Sequence, residues 1–282
     1  MMSENIIINS SDVPIAGNPV KPINLIGDEY RKSINKLILA MIKDIKKGLV
    51  FQYGAVEGDV VYAHDESPTE RLTKWLNKRF KYWQGRVDIH ADKIANSFIN
   101  NIDNHSKSSL DANFKKLIKD FTIRKSCSRR FSSILSAKTK ENVDLITNIP
   151  EQMRQQITGD VQRCISNGRN LKEMQQLIIQ RGITAESRVK LIAKDQLNKA
   201  TSAINTARAL DNGIRYGIWR HSSAGREPRH SHVIADGTIF DLSKGLFIDG
   251  KWIMPSEEIN CRCYWVPLLS LGKYKIGDKY LG

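Results

Sequence analysis

The hydrophobic pattern changes period once along the chain, at Gly213, and this change limits the fold more than any other feature. Before it, apolar residues recur at intervals of three and four, the spacing that gathers them on one face of an α-helix. Ile34, Leu37, Ile38, Met41, Ile42, Ile45 and Leu49 form such a stripe, opposite Lys36, Lys43, Lys46 and Lys47. The spacing repeats through Leu72, Trp75, Leu76 and Phe80, through Ile89, Ile94, Phe98 and Ile102, and through Leu110, Phe114, Leu117 and Ile118. It returns in Met153, Ile157, Val161, Cys164 and Ile165, and then from Val189 to Leu210, where small residues let a neighbouring helix approach closely. After Gly213 the runs are short and β-prone: Ile214–Arg220, Thr238–Asp241, Leu246–Ile248, Lys251–Met254 and Cys261–Val266. Asp236-Gly237 and Asp249-Gly250 are turn dipeptides among them, the second a hairpin signal. The pattern predicts an α+β chain, a mainly α-helical body with a small C-terminal antiparallel β-containing domain.

Local punctuation divides the body. Met1 to Gly27 holds three of the eight prolines and no period, and reads as a flexible arm ordered only against a partner. Asp28 opens the first helix, and Phe51–Asp65 reads as a Gly-broken loop or small hairpin. Ser67-Pro68 is a helix start, cap then first-turn proline. The Ser-rich stretch Ser106–Ser109 separates two helical patterns, and Lys125–Lys140 is ambiguous. Asn148, Ile149 and Pro150 begin another helix. Asn170 with Glu173 caps a short one that stops at Gly182, and Thr184 caps the next. Gly213 ends it as a left-handed stop. The expected segments are 1–27, the arm; 28–140, a basic helical region; 141–213, helical; and 214–282, β-rich.

Charge sharpens that division. The net charge is +14, from 44 Lys and Arg against 30 Asp and Glu. Arg71, Lys74, Lys78, Arg79, Lys81 and Arg86 lie in a stretch with no acid. Between Ser106 and Arg130, Lys107, Lys115, Lys116, Lys119, Arg124, Lys125, Arg129 and Arg130 face only Asp111 and Asp120. These two segments hold most of the excess, so an anionic partner is expected to meet the first half of the chain, with double-stranded DNA the candidate. The interleaved Trp75, Phe80, Tyr82 and Trp83 have two readings: base stacking, or core residues behind a solvated basic face. No run approaches the roughly 18 apolar residues of a membrane span. Met1–Val20 lacks the basic start and apolar core of a signal peptide. The expectation is a cytoplasmic protein with no membrane partner. Four cysteines, Cys127, Cys164, Cys261 and Cys263, are too few and too uneven for a disulfide framework.

Chemistry concentrates in the β-rich region, in Arg229-His230-Ser231-His232, Asp236-Gly237 and Asn260-Cys261-Arg262-Cys263. Residues two apart in an extended segment share a face, so both imidazoles or both thiolates can meet at one spot. Two His and two Cys are a zinc inventory, although the one-residue gaps are not the usual ligand spacing. The competing reading is a metal-free cap in which the cysteines pack and Arg229, His232, Asp236 and Asn260 form a satisfied polar network. A metal-dependent nuclease or hydrolase centred on His232, Asp236 and the Cys261/Cys263 pair is the enzymatic alternative. No clear nucleophile or phosphate loop accompanies them, and no catalytic residue is assigned.

Taken together, these residues resemble the phage head morphogenesis family, the Mu F-like minor head proteins. The matching strings are Asn142–Gln155 (NVDLITNIPEQMRQ), Gly168–Leu171, Ile192–Asn198 (IAKDQLN), Ala207-Arg208, Ile218–Ser222 (IWRHS), Arg229, Ser231, His232, Gly237 and Asn260–Cys263 (NCRC). They run over about residues 140 to 268, so that 141–213 and 214–282 become the helical and β-rich parts of one Mu F-like domain. The family pattern R-x-S-H often has proline where this chain has His230, and it supports His232, Cys261 and Cys263 as the ligand positions, with zinc the candidate ion. The resemblance implies a non-enzymatic minor virion component made in the host cytoplasm and held in the capsid interior. Its implied partners are the portal, scaffold or major capsid proteins, with an influence on DNA packaging or delivery.

Overall fold

The computed structural model describes residues 14–58, 68–116, 128–167, 171–223 and 227–281. Lys119 and Cys127 lie outside them. The helices are α1 (Asn24–Gly58), α2 (Pro68–Lys115), α3 (Arg129–Ser166), α4 (Leu171–Asp211) and the short α5 (His230–Ile234). The strands are β1 (Ile15–Ala16), β2 (Tyr216–Arg220), β3 (Ile239–Asp241), β4 (Leu246–Ile248), β5 (Lys251–Ile253) and β6 (Tyr264–Ser270). The α+β expectation holds, with all but the first strand following the last long helix.

The helices are longer than their punctuation predicts. α1 starts at Asn24 and continues through Phe51 to Gly58, where a loop or hairpin was expected. The serines do not interrupt α2, because Ser108 Oγ donates to the Asn104 carbonyl at 3.0 Å and Ser109 Oγ meets His105 Nδ1 at 3.1 Å. Their hydroxyls are satisfied inside the helix rather than competing with it. Pro150 lies within α3 instead of starting a helix. α3 begins at Arg129, capped by Ser128, whose Oγ accepts from Phe131 N at 3.0 Å. Gly182 does not end a helix. It is an interior glycine of α4, and a Cβ there would lie 3.2 Å from Ile42, so it is a contact residue.

Two compact units emerge: Asp28–Ser97 with Thr139–Ala193, and Met1–Gly27 with Phe98–Lys138 and Lys194–Gly282. The first is a bundle of parts of α1 to α4. Ile34, Ile38, Met41, Ile45 and Leu49 of α1 are buried, as are Leu72, Leu76, Phe80 and Trp83 of α2 and Ile146, Ile149, Met153 and Ile157 of α3. Of the aromatics of the basic stretch, Phe80 and Trp83 therefore serve the core, Trp75 is half-buried against Gly48 of α1, and Tyr82 is 46% exposed. Polar bonds fix the helix pairs. Asp44 accepts from the Trp83 indole at 2.6 Å and from the Arg79 guanidinium. Burial works against the Asp44 charge, yet these donors hold its carboxyl below the usual range. Asp160 is similarly held by Arg181 and Arg163, and Tyr30 donates to Asn142 Oδ1 at 2.8 Å.

The second unit contains the sheet, in the antiparallel order β1-β6-β2-β3, and the β4-β5 hairpin. Of the expected arm, residues 1–13 lie outside the described residues, and the part that follows is held by the chain itself: Ile15 pairs with Ser270 and Ala16 with Leu268, and Gly17 N donates to the Pro267 carbonyl at 2.8 Å. The following proline-rich segment finds partners in its own chain, as Asn18 N donates to Asn113 Oδ1 at 2.8 Å and Asn205 donates to the Val20 carbonyl at 3.1 Å. Gly213 has φ +81, the left-handed conformation expected at the end of α4. Asp249 and Gly250, at φ 51 and 81, make the two-residue turn between β4 and β5. Trp219, Phe240, Phe114 and Leu110 are buried together beneath the sheet with Cys261 and Cys263.

Candidate functional site

The cysteines are positioned by a loop rather than a strand. β6 starts only at Tyr264, so Cys261-Arg262-Cys263 is the irregular segment that leads into it. α4 braces this loop. Asp195 Oδ1 accepts from Asn260 N at 2.7 Å, Asn198 donates to the Cys261 carbonyl at 3.5 Å, and Ser202 Oγ donates to the Pro255 carbonyl at 2.6 Å. Ser256 Oγ adds a bond to the Cys263 carbonyl at 2.6 Å. Asn260 sits at φ 60, a left-handed position that asparagine tolerates and that bends the chain ahead of the first thiol.

The histidines sit on α5, not on a strand. In a helix, residues two apart point about 200° apart, so His230 and His232 cannot share a target. His230 is exposed, whereas His232 is 3% exposed and turned inward. Its Nδ1 lies 3.5 Å from Cys261 Sγ and 3.6 Å from Cys263 Sγ. The three donor atoms all fall within 4.8 Å of one another. Trp219 closes one side, edge-on to the imidazole with ring centroids 5.4 Å apart.

The two thiols share a hydrogen bond. Donation from Cys263, together with backbone N–H groups, holds Cys261 well below the ordinary thiol range, while the same contact and burial push Cys263 up. On the other side of the imidazole, Nε2 lies 3.1 Å from Glu258 Oε2, within ion-pair distance but off the N–H axis, so no hydrogen bond forms. Glu258 is itself gripped by Lys251 Nζ at 2.5 Å and Arg229 Nε at 3.4 Å. The Lys251 bond, with Arg229 and His232 nearby, keeps its carboxyl below the usual range despite partial burial.

The structure brings together Arg229, His232, Cys261 and Cys263, and Asn260 joins through its backbone. Asp236 stands apart: it is exposed, and its Oδ1 accepts from His221 N at 2.8 Å. Glu258 and Asp195 were not singled out from the sequence, because no spacing relates either one to the His and Cys motifs. Of the basic residues, Lys74, Lys78 and Lys81 are exposed on one face of α2, and Lys116, Arg129 and Arg130 are exposed in the other unit. Arg71 is half-buried, Arg79 pairs with Asp44, and Lys115 pairs with Asp111 at 2.7 Å.

Residues 155–266 match the family model described as Phage Mu protein F like protein. Over this segment the chain is similar to the Mu F-like family. The matched segment encloses α4, the α5 histidines, both cysteines and most of the sheet, so the bracing residues Asp195, Asn198 and Ser202 lie in it too. A Haemophilus influenzae protein described as an uncharacterized protein is 26% identical over 241 residues, which are 85% of this chain and 52% of the relative. The chain thus spans about half the length of the curated relative it matches. No solved structure matches.

Proposed function

We propose that this chain acts in phage head morphogenesis, as a minor head component that lies in the capsid interior beside the portal and contacts packaged DNA without sequence preference. The match of residues 155–266 to the Mu F-like family is the observation that carries the head assignment. The DNA contact rests on separate ground, because the basic stretch Arg71–Arg86 lies outside the matched segment. Lys74, Lys78 and Lys81 recur at four and three residues, on the face of α2 opposite the buried Leu72, Leu76, Phe80 and Trp83. Such a stripe suits phosphate contacts, which neutralise charge and position a protein but do not read sequence. With Phe80 and Trp83 committed to the core, base stacking is not assigned to them.

Titration of the protein with two unrelated DNA duplexes across a salt series tests the contact. Equal affinity for both is expected, with log K falling linearly as log salt rises, and replacement of Lys78 and Lys81 by Gln should lower the slope by about 2. Salt-independent binding, or strong preference for one duplex, would contradict it. Among the described residues no helix is long and apolar enough to cross a membrane.

A further inference from the structure

The thiol and imidazole cluster is more specific than a packed core requires. We propose that His232 Nδ1, Cys261 Sγ and Cys263 Sγ bind one zinc ion, with water in the fourth position, and that Glu258 orients the imidazole for it. The proposal stands independently of the head and DNA assignments.

Three observations carry it. Tetrahedral zinc with Zn–S of about 2.3 Å and Zn–N of about 2.0 to 2.1 Å holds its nitrogen and sulfur ligands about 3.6 Å apart. The two Nδ1–Sγ separations here are 3.5 and 3.6 Å. Nδ1 has a single in-plane electron pair or N–H, which serves one hydrogen bond, so near-equal distance to two sulfurs fits a shared centre better than a pairwise bond. The second observation is Glu258. Its carboxylate stands 3.1 Å from Nε2, at the end of the imidazole away from the sulfurs, the side from which a carboxylate backs a metal-bound histidine. The third is donor type and burial. Two sulfurs and an imidazole, each at most 4% exposed, select zinc over calcium or magnesium, which take oxygen ligands.

The role is structural. An ion here would cross-link α5 to the loop before β6, so its binding would add to the stability of the cap. Glu258 faces the imidazole from the side away from the sulfurs, so no proton acceptor is assigned to the bound water.

Elemental analysis of the full chain, purified without chelator, should find one zinc per chain. After zinc removal, cobalt(II) should give the near-ultraviolet thiolate charge-transfer absorption of a site with two sulfurs. Cys261→Ser and Cys263→Ser should lose both signals, and His230→Ala and Asp236→Asn should keep them. Glu258→Gln leaves all three ligands in place and should weaken zinc binding about 10- to 100-fold. If the cysteine variants fail to fold, the wild-type chain still decides, because a chelator should lower its melting temperature and zinc should restore it. Zinc at trace levels, no charge-transfer band and a melting temperature indifferent to chelator would overturn the proposal in favour of a metal-free polar network.

Discussion

Two tryptophans of the β-rich region, alike in the sequence, separate the core from the surface. Trp219 in β2 is fully buried against Phe240 and His232, whereas Trp252 in β5 is 58% exposed and stacks edge-on with Phe247 across the hairpin. Trp219→Ala should cost about 3 to 5 kcal/mol in urea unfolding, the range for emptying a buried aromatic site. Trp252→Ala should cost about 1 kcal/mol or less, the value of one cross-strand pair. Equal costs would contradict the placement. The sequence alone does not separate the two, because alternation in a three-residue strand does not fix which face is inward. The same limit applies at the site. His232, Cys261 and Cys263 are legible because few residue types ligate metals, and a family motif singles out His232 over His230. Glu258 is one of many glutamates until the fold sets it against Nε2.

Among elements, the apolar period found part of each long helix among the described residues but neither its ends nor its continuity: the first turns of α3 fall in the ambiguous Lys125–Lys140, and α4 reads as two helices. Gly182, Pro150 and the Ser106–Ser109 run are ordinary breakers, and all three lie inside continuous helices. Tertiary contact outweighs their local preference, which is worth about 1 kcal/mol for glycine. Gly48 gives the clearest case. It lies in α1, where a Cβ would fall 2.3 Å from the Trp75 indole of α2. Gly85 of α2 has nothing within 4 Å of that position. Gly85→Ala should therefore stabilise the protein by up to about 1 kcal/mol through helix propensity. Gly48→Ala gains the same term, but it must displace an aromatic ring at an overpacking cost of roughly 1 to 3 kcal/mol, so its net effect should be destabilising. Thermal unfolding of the two variants checks the opposite signs.

At the scale of the whole molecule, the +14 charge and the segment similar to the Mu F-like family are largely separate features. Most of the β-rich region, its bracing helix and the thiol–imidazole cluster fall within residues 155–266, while both basic segments precede them. The order of elements was legible because the period changes at Gly213. The capture of Ile15 and Ala16 by β6 was not, since pairing between residues about 250 positions apart leaves no local signature. The proposed head role is tested by quantitative mass spectrometry of purified, nuclease-treated heads from any phage or induced prophage whose genome carries this chain. This polypeptide should be present at a few copies per head, far below the major shell protein; its absence from heads, with the chain abundant in the same lysate, would contradict the proposed role.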